Sequence, residues 1–219
     1  MPGPTGIAPS SQPPSRGLLL VVSGPSGVGK TTITHRLREI FDGVFSVSAT
    51  TRAPGPGEVD GRDYRFVSRE EFQRMLDAGE FLEHAQVFGR SWYGTPRAPV
   101  EATLRAGRLA ILDIDVQGAL QVRRSMPESL LVFVLPPSDA ELLRRLHDRG
   151  RDSEEAIQRR FAEAQREIAT ARDSGAYDGF VVNAELERAV AAVASMVEGR
   201  GVRRLSSCGD SCGQGCSTA

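Results

Sequence analysis

The chain has 219 residues, is 40% hydrophobic and 25% charged, and carries a formal net charge of −1. This near-neutral balance excludes bulk attraction to nucleic acid or to a membrane surface, so any anion site must be local. No stretch reaches transmembrane length, and the length suits one domain, or one domain with an inserted lobe.

In chain order, residues 1–16 carry five prolines with Gly and Ser. They read as a disordered tail without the apolar segment of a signal peptide. "LLLVVS" (18–23) is a continuous apolar run that suits a strand buried on both faces of a parallel sheet. A glycine-rich turn follows, and then "TTITHRLREI" places Ile33, Leu37 and Ile40 on one helical face. Core strands are expected at "LAILDID" (109–115), "LLVFVL" (130–135) and, more weakly, "GFVVN" (179–183). Helical patterns fall at about 97–106, 116–125, 138–148, 153–172 and 185–198. Strands alternating with helices indicate an α/β fold with a doubly wound parallel sheet flanked by helices.

Residues 44–95 differ. "VFSVSATT", "DYRFV" and "FLEHAQVF" read as short strands. Between them Ser68, with Glu71 three residues on, opens "REEFQRML" as a capping box. Strands joined without crossover helices predict an inserted lobe built on a small antiparallel or mixed sheet. The expected organisation is a core at 17–46 and 99–198, a lobe at 47–98, and a disordered tail at 199–219. Cys208, Cys212 and Cys216 all lie in that tail and lack a fourth ligand at zinc spacing. A body free of cysteine fits a reducing cytoplasm.

Gly24-Pro25-Ser26-Gly27-Val28-Gly29-Lys30-Thr31 fits G-x-x-x-x-G-K-[ST]. The glycines let successive backbone N–H groups converge on a phosphate, and the helix starting near Lys30 adds its positive end. The lysine reaches the β/γ-phosphates of ATP and the Thr31 hydroxyl ligates Mg²⁺. Gly24 through Thr32 are therefore the candidate ATP-binding residues. Lys30 is the only lysine of the chain. A forked guanidinium does not replace a point-charge ammonium in such a nest.

Asp113 and Asp115 end the strand "LAILDID", and a spacing of two puts both on one face. They suit orientation of hydrated Mg²⁺ and of substrate in the crevice at the strand ends; a strand-end cap or an ion pair is the plainer reading. "RRLHDRGRDSEEAIQRR" (144–160) is dense in arginine around Gly150. It reads either as two solvated helix ends or as a hinged lid that brings cations to a transferring phosphoryl group. His35, His84 and His147 form no set.

With the phosphate loop, "SVSATTR", "PGE", "GRDY", "FLEHAQVFG", "YGT", "LDIDVQGA" and the arginine-rich segment, taken in order, the chain resembles guanylate kinase over about residues 18–198. The resemblance implies a P-loop NTPase-type core, a GMP-binding lobe and a helical lid at about 144–160. The implied reaction is ATP-dependent phosphorylation of GMP, and of dGMP, to GDP with Mg²⁺. Ser48, Glu83 and Thr95 would read guanine. Arg52, Tyr64 and Tyr93 would hold the GMP phosphate, with Glu58 orienting the arginine. Asp113 and Asp115 would contact the acceptor or the waters of the metal. Lys30, Arg52, Arg145, Arg149 and Arg160 would be the catalytic cations. A guanylate-kinase-like binding module without turnover and a kinase of another phosphorylated acceptor are the competing classes. One departure stands out: in "TTRAPGPGE" Gly55 occupies the place where the family carries a second phosphate-binding arginine, and Arg62 or Arg65 would compensate in part.

Overall fold

A computed structural model describes residues 17–87, 90–148 and 153–205. The apolar run at 18–23 forms β1 (Leu18–Ser23), buried along its whole length. It pairs in parallel with β7 (Leu109–Asp113) on one side and β8 (Leu130–Leu135) on the other. β2 (Val44–Phe45) and β9 (Gly179–Val182) complete a five-stranded parallel sheet in the order β2-β7-β1-β8-β9. Burial on both faces explains the unbroken apolar run, because alternate residues serve different layers. Leu18, Leu20 and Val22 pack with Ile33 and Leu37 of α1 (Lys30–Phe41) and Val190 and Val193 of α7 (Leu186–Gly199). Leu19 and Val21 pack with Val100 of α3 (Arg97–Arg105) and Ala119 and Val122 of α4 (Val116–Ser125).

The lobe carries the second sheet, in the order β4-β3-β6-β5. β3 (Ala49–Thr50) runs parallel to β4 (Arg65–Phe66) and antiparallel to β6 (Ser91–Pro96), which in turn is antiparallel to β5 (Phe81–Val87). The expected strand "VFSVSATT" is therefore two strands, β2 in the core sheet and β3 in the lobe, separated by residues 46–48. β6, "SWYGTP", was not expected as a strand. It contains Gly94 and ends on Pro96, both depleted in strands. Gly94 is required by close packing, since a Cβ there would come within 2.8 Å of the Phe81 ring.

The expected cap of α2 (Arg69–Asp77) forms, with Ser68 Oγ accepting from Glu71 N–H at 3.1 Å. The return half of the capping box does not come from Glu71, whose carboxylate instead takes Arg74 at 2.8 and 2.9 Å. Ser138 and Ser153 cap α5 (Asp139–His147) and α6 (Glu154–Asp173). Residues 200–205 continue past α7, where Leu205 N–H donates to the Ile40 carbonyl at 2.9 Å. The tails at 1–16 and 206–219, with the three cysteines, and the lid residues Arg149 and Gly150 lie outside the described residues.

One expectation is corrected here. β7 ends at Asp113, and Asp115 is the N-cap of α4, with φ −77 and ψ 177 and its Oδ1 accepting from Gly118 N–H at 2.8 Å. The two aspartates do not share a strand face. An Asp placed to satisfy the open N–H groups of a helix start overrides continuation of the strand.

Candidate active site

The phosphate loop spans the gap between β1 and α1, and Gly29, at φ 96, is the residue before the helix. A side chain there would be strained by its φ and would come within 2.5 Å of Asn183 Nδ2. That same Asn183 amide donates to the Val28 carbonyl at 2.8 Å. Arg145 reaches the same carbonyl. Its guanidinium donates to Glu141 Oε1 at 2.8 Å, to the Asn183 carbonyl at 3.1 Å and to the Val28 carbonyl at 3.4 Å.

Lys30 Nζ donates to the carbonyls of Gly24 (2.6 Å) and Pro25 (3.4 Å). It lies 3.9 Å from Asp113 Oδ1. Thr31 Oγ1 donates to Asp113 Oδ2 at 2.9 Å. Burial pushes the Asp113 carboxyl up, and the Lys30 charge and the Thr31 bond oppose that shift. Ser26, Thr31 and Thr32 are exposed, facing the open side of the loop.

Arg52, at the end of β3, is held in a fork. Its Nη1 and Nη2 donate to the two Glu58 oxygens at 2.9 and 2.8 Å, and its Nε donates to the Tyr93 hydroxyl at 3.1 Å. The Tyr64 ring lies 5.4 Å from the guanidinium carbon and 5.8 Å from the Tyr93 ring, edge to face. Bonds from Arg52 and from the Gly55 N–H hold the Glu58 carboxyl below its ordinary range. Arg52, Glu58, Tyr64 and Tyr93 thus lie together, with the Arg52 charge paired by Glu58. Gly55 stands at its edge and donates to Glu58 Oε2 at 2.6 Å. Arg62 is bonded to Asp63 and Arg65 leans toward Glu71 at 3.8 Å.

Glu83 on β5 is only 6% exposed. Its Oε1 accepts from Thr95 Oγ1 at 2.6 Å. Burial, reinforced by the charge of Asp115, raises its carboxyl to about 7 despite the Thr95 bonds. A solvent-facing strand residue is excluded. Ser48 sits half-buried just before β3, its carbonyl accepting from Arg65 N–H at 2.9 Å.

The three groups share one field. The charge of Asp113 reaches Tyr64, and that of Asp115 reaches Glu83. Glu167 on α6 feels Lys30 and Asp115, and burial raises it to about 7 as well. Asn183, which sequence reasoning missed, lies against the phosphate loop. Asn183 carries a signal, as a polar residue closing the apolar run "GFVV" at a parallel strand's C-terminal end. Arg160 is half-buried on α6.

Fold and site together define the class: a P-loop phosphotransferase of the nucleoside-monophosphate kinase type. The sequence model of the guanylate kinase family matches residues 16–200, and the chain belongs to that family. It is 49% identical over 191 residues to a guanylate kinase of Paramagnetospirillum magneticum, covering 86% of this chain and 87% of that protein. It is 51% identical over 176 residues to one of Thermus thermophilus, covering 80% and 78%. The crystal structure of guanylate kinase from Anaplasma phagocytophilum superposes with a TM-score of 0.67 at 36% identity, covering 88% of this chain and 92% of that one. Among the described residues no helix is long and apolar enough to cross a membrane.

Proposed function

We propose that the protein transfers the γ-phosphoryl group of ATP to GMP, giving ADP and GDP, in the cytoplasm. The observation that carries this reading is Glu83, a buried carboxylate whose side-chain partner is a single hydroxyl. Guanine presents N1–H and the 2-amino group on one edge, and an ionised carboxylate accepts both; adenine offers no such pair. Base and phosphate are the groups addressed, so dGMP is an expected acceptor too.

The Arg52 cluster takes the acceptor phosphate through charge-assisted bonds and orients one of its oxygens toward the donor. That oxygen attacks the γ-phosphorus of ATP as the bond to the β,γ-bridging oxygen breaks, and ADP leaves with the electron pair. Lys30 moves from the Gly24 and Pro25 carbonyls to the phosphates, where its charge meets that of the transferring group. The lid arginines Arg145, Arg149 and Arg160 contribute further cations and exclude water.

Among the described residues no group of three or more His, Cys, Asp or Glu side chains could hold a metal by itself. A Mg²⁺ ion would enter the site as a companion of ATP. The exposed Thr31 hydroxyl and the Asp113 carboxylate bonded to it are hard oxygen donors at the mouth of the phosphate loop. When bound, the ion would neutralise phosphate charge, with Thr31 as ligand and Asp113 holding its waters; Asp115, committed to Gly118, is the less available of the two aspartates.

A coupled assay of ADP release with GMP, dGMP, AMP and ribose 5-phosphate tests the reading. GMP and dGMP are expected to turn over, and AMP about 10⁴-fold less efficiently. Turnover with ribose phosphate alone would indicate another acceptor. GMP binding without turnover by any acceptor would indicate a binding module.

Gly55→Arg is expected to lower the KM for GMP by about 10- to 100-fold, the value of one added charge-assisted bond to phosphate. The backbone there does not require glycine, but a Cβ would press on Glu58 Oε2 at 3.1 Å. Gly55→Ala isolates that steric effect. An arginine variant whose KM is no lower than that of the alanine variant would show that the phosphate site is already complete.

A further inference from the structure

β5 is the outer strand of the lobe sheet, so one row of its backbone groups has no strand partner. α4 supplies the missing partners. His84 N–H donates to Gln121 Oε1 at 3.1 Å, and Gln121 Nε2 donates back to the His84 carbonyl at 2.9 Å. The carboxamide thus offers the donor and acceptor that a neighbouring strand would offer. One turn further along α4, Ser125 Oγ donates to the Leu82 carbonyl at 3.0 Å.

Glu83 lies between these two gripped residues. Its Oε2 rests against the same helix at Gly118, where a Cβ would come within 3.0 Å. The ladder between β5 and β6 breaks register between Phe81 and Glu83. Pairing with β6 therefore leaves the strand irregular where the carboxylate departs from it.

We infer that Gln121 is a positioning residue for recognition of the acceptor base: it clamps the backbone beside Glu83 and sets where the carboxylate meets the guanine edge. The inference rests on the reading of Glu83 as the group that accepts N1–H and the 2-amino group. Gln121 touches neither substrate nor metal in this scheme. Its effect must appear in discrimination between bases and not in handling of phosphate.

The test compares GMP with IMP, which has the same phosphate and N1–H but lacks the 2-amino group. Steady-state constants are measured for the unmodified protein, Gln121→Ala, Gln121→Met, Gln121→Glu and Glu83→Gln. Gln121→Met keeps the volume without the hydrogen bonds and serves if the alanine variant folds poorly. The KM for GMP is expected to rise about tenfold in the alanine or methionine variant, the effect of losing ordinary hydrogen bonds at one point. The KM for IMP should rise less than about threefold and that for ATP should not move, so that the preference for GMP, the GMP/IMP ratio of kcat/KM values, falls. Gln121→Glu retains an acceptor for His84 N–H and should recover part of the ratio. If Glu83→Gln leaves the ratio intact, the reading of Glu83 fails and the role of Gln121 with it. If Glu83→Gln collapses the ratio while the Gln121 variants keep it, or weaken both substrates in parallel, the positioning role alone is overturned.

Discussion

Glu83→Gln is expected to remove most of the preference for GMP over AMP, which in the unmodified protein should be on the order of 10⁴. The carboxylate accepts two donors, whereas a carboxamide accepts with one atom and donates with the other. GMP therefore meets a mismatched donor, and the N1 acceptor of AMP gains a partner. Measured kcat/KM values for the two nucleotides decide the matter; a ratio that stays near its original value would show that the base is read elsewhere.

The same residue dictates a pH dependence. Its folded carboxyl lies near 7, above an ordinary value of 4.5. Below pH 7 the free protein holds it protonated, in the form that cannot accept both guanine donors. The KM for GMP should therefore rise about tenfold per pH unit below 7, and this limb should vanish in Glu83→Gln. The titration of GMP's own phosphate remains in both profiles and cancels in the comparison.

Stability moves the other way. Between pH 4.5 and 7 the unfolded chain releases this proton while the folded chain keeps it, so ionisation of Glu83 erodes stability as pH rises through that window. Above pH 7 Glu83→Gln should be the more stable protein, by up to about 3 kcal/mol. Thermal unfolding at pH 5 and pH 8 measures the crossover. A glutamine variant less stable at both values would show that the buried carboxylate is fully compensated by its bonds.

Lys30→Met is expected to lower kcat by about 10²- to 10³-fold with little change in thermal stability, the loss that follows removal of one preorganised group at developing charge. Lys30 contacts loop carbonyls and the Asp113 carboxylate rather than apolar core side chains. Lys30→Arg should fail almost as badly. Its planar fork cannot follow the ammonium into a nest whose nearest carbonyl stands 2.6 Å from Nζ. An arginine variant with nearly full activity would mean that charge alone suffices.

The core sheet is legible in the sequence because strands buried on both faces must be apolar throughout, as 18–23 and 130–135 are. α4 falls on residues 116–125 as the periodicity requires. The lobe is less legible. β6 is built on Gly94 and Pro96, which local propensity reads as breakers, and the close approach of the Phe81 ring and the Glu83 carbonyl explains the glycine. Asp115 reads as a strand residue until Gly118 N–H is seen to need a cap. The phosphate loop follows from its motif, since its residues are contiguous, and the pairing of Arg52 with Glu58 lies within six residues; Tyr93, 41 residues from Arg52, is placed only by the family resemblance. The burial of Glu83 follows from no motif, because it arises from α4, more than thirty residues away. Gln121 is invisible for the same reason: nothing in "GALQV" announces that a side chain will complete a sheet.

The solitary lysine has a consequence outside phosphoryl transfer. The chain contains one ε-amine, and it sits in the phosphate loop. An amine-acylating reagent thus meets a single side-chain target, partly shielded and held by two carbonyls. Labelling of that amine should track loss of turnover one for one, and bound ATP should slow it. The residue that handles the phosphates would then be its own occupancy gauge, readable by the mass of the peptide that carries Lys30 without any coupled reaction.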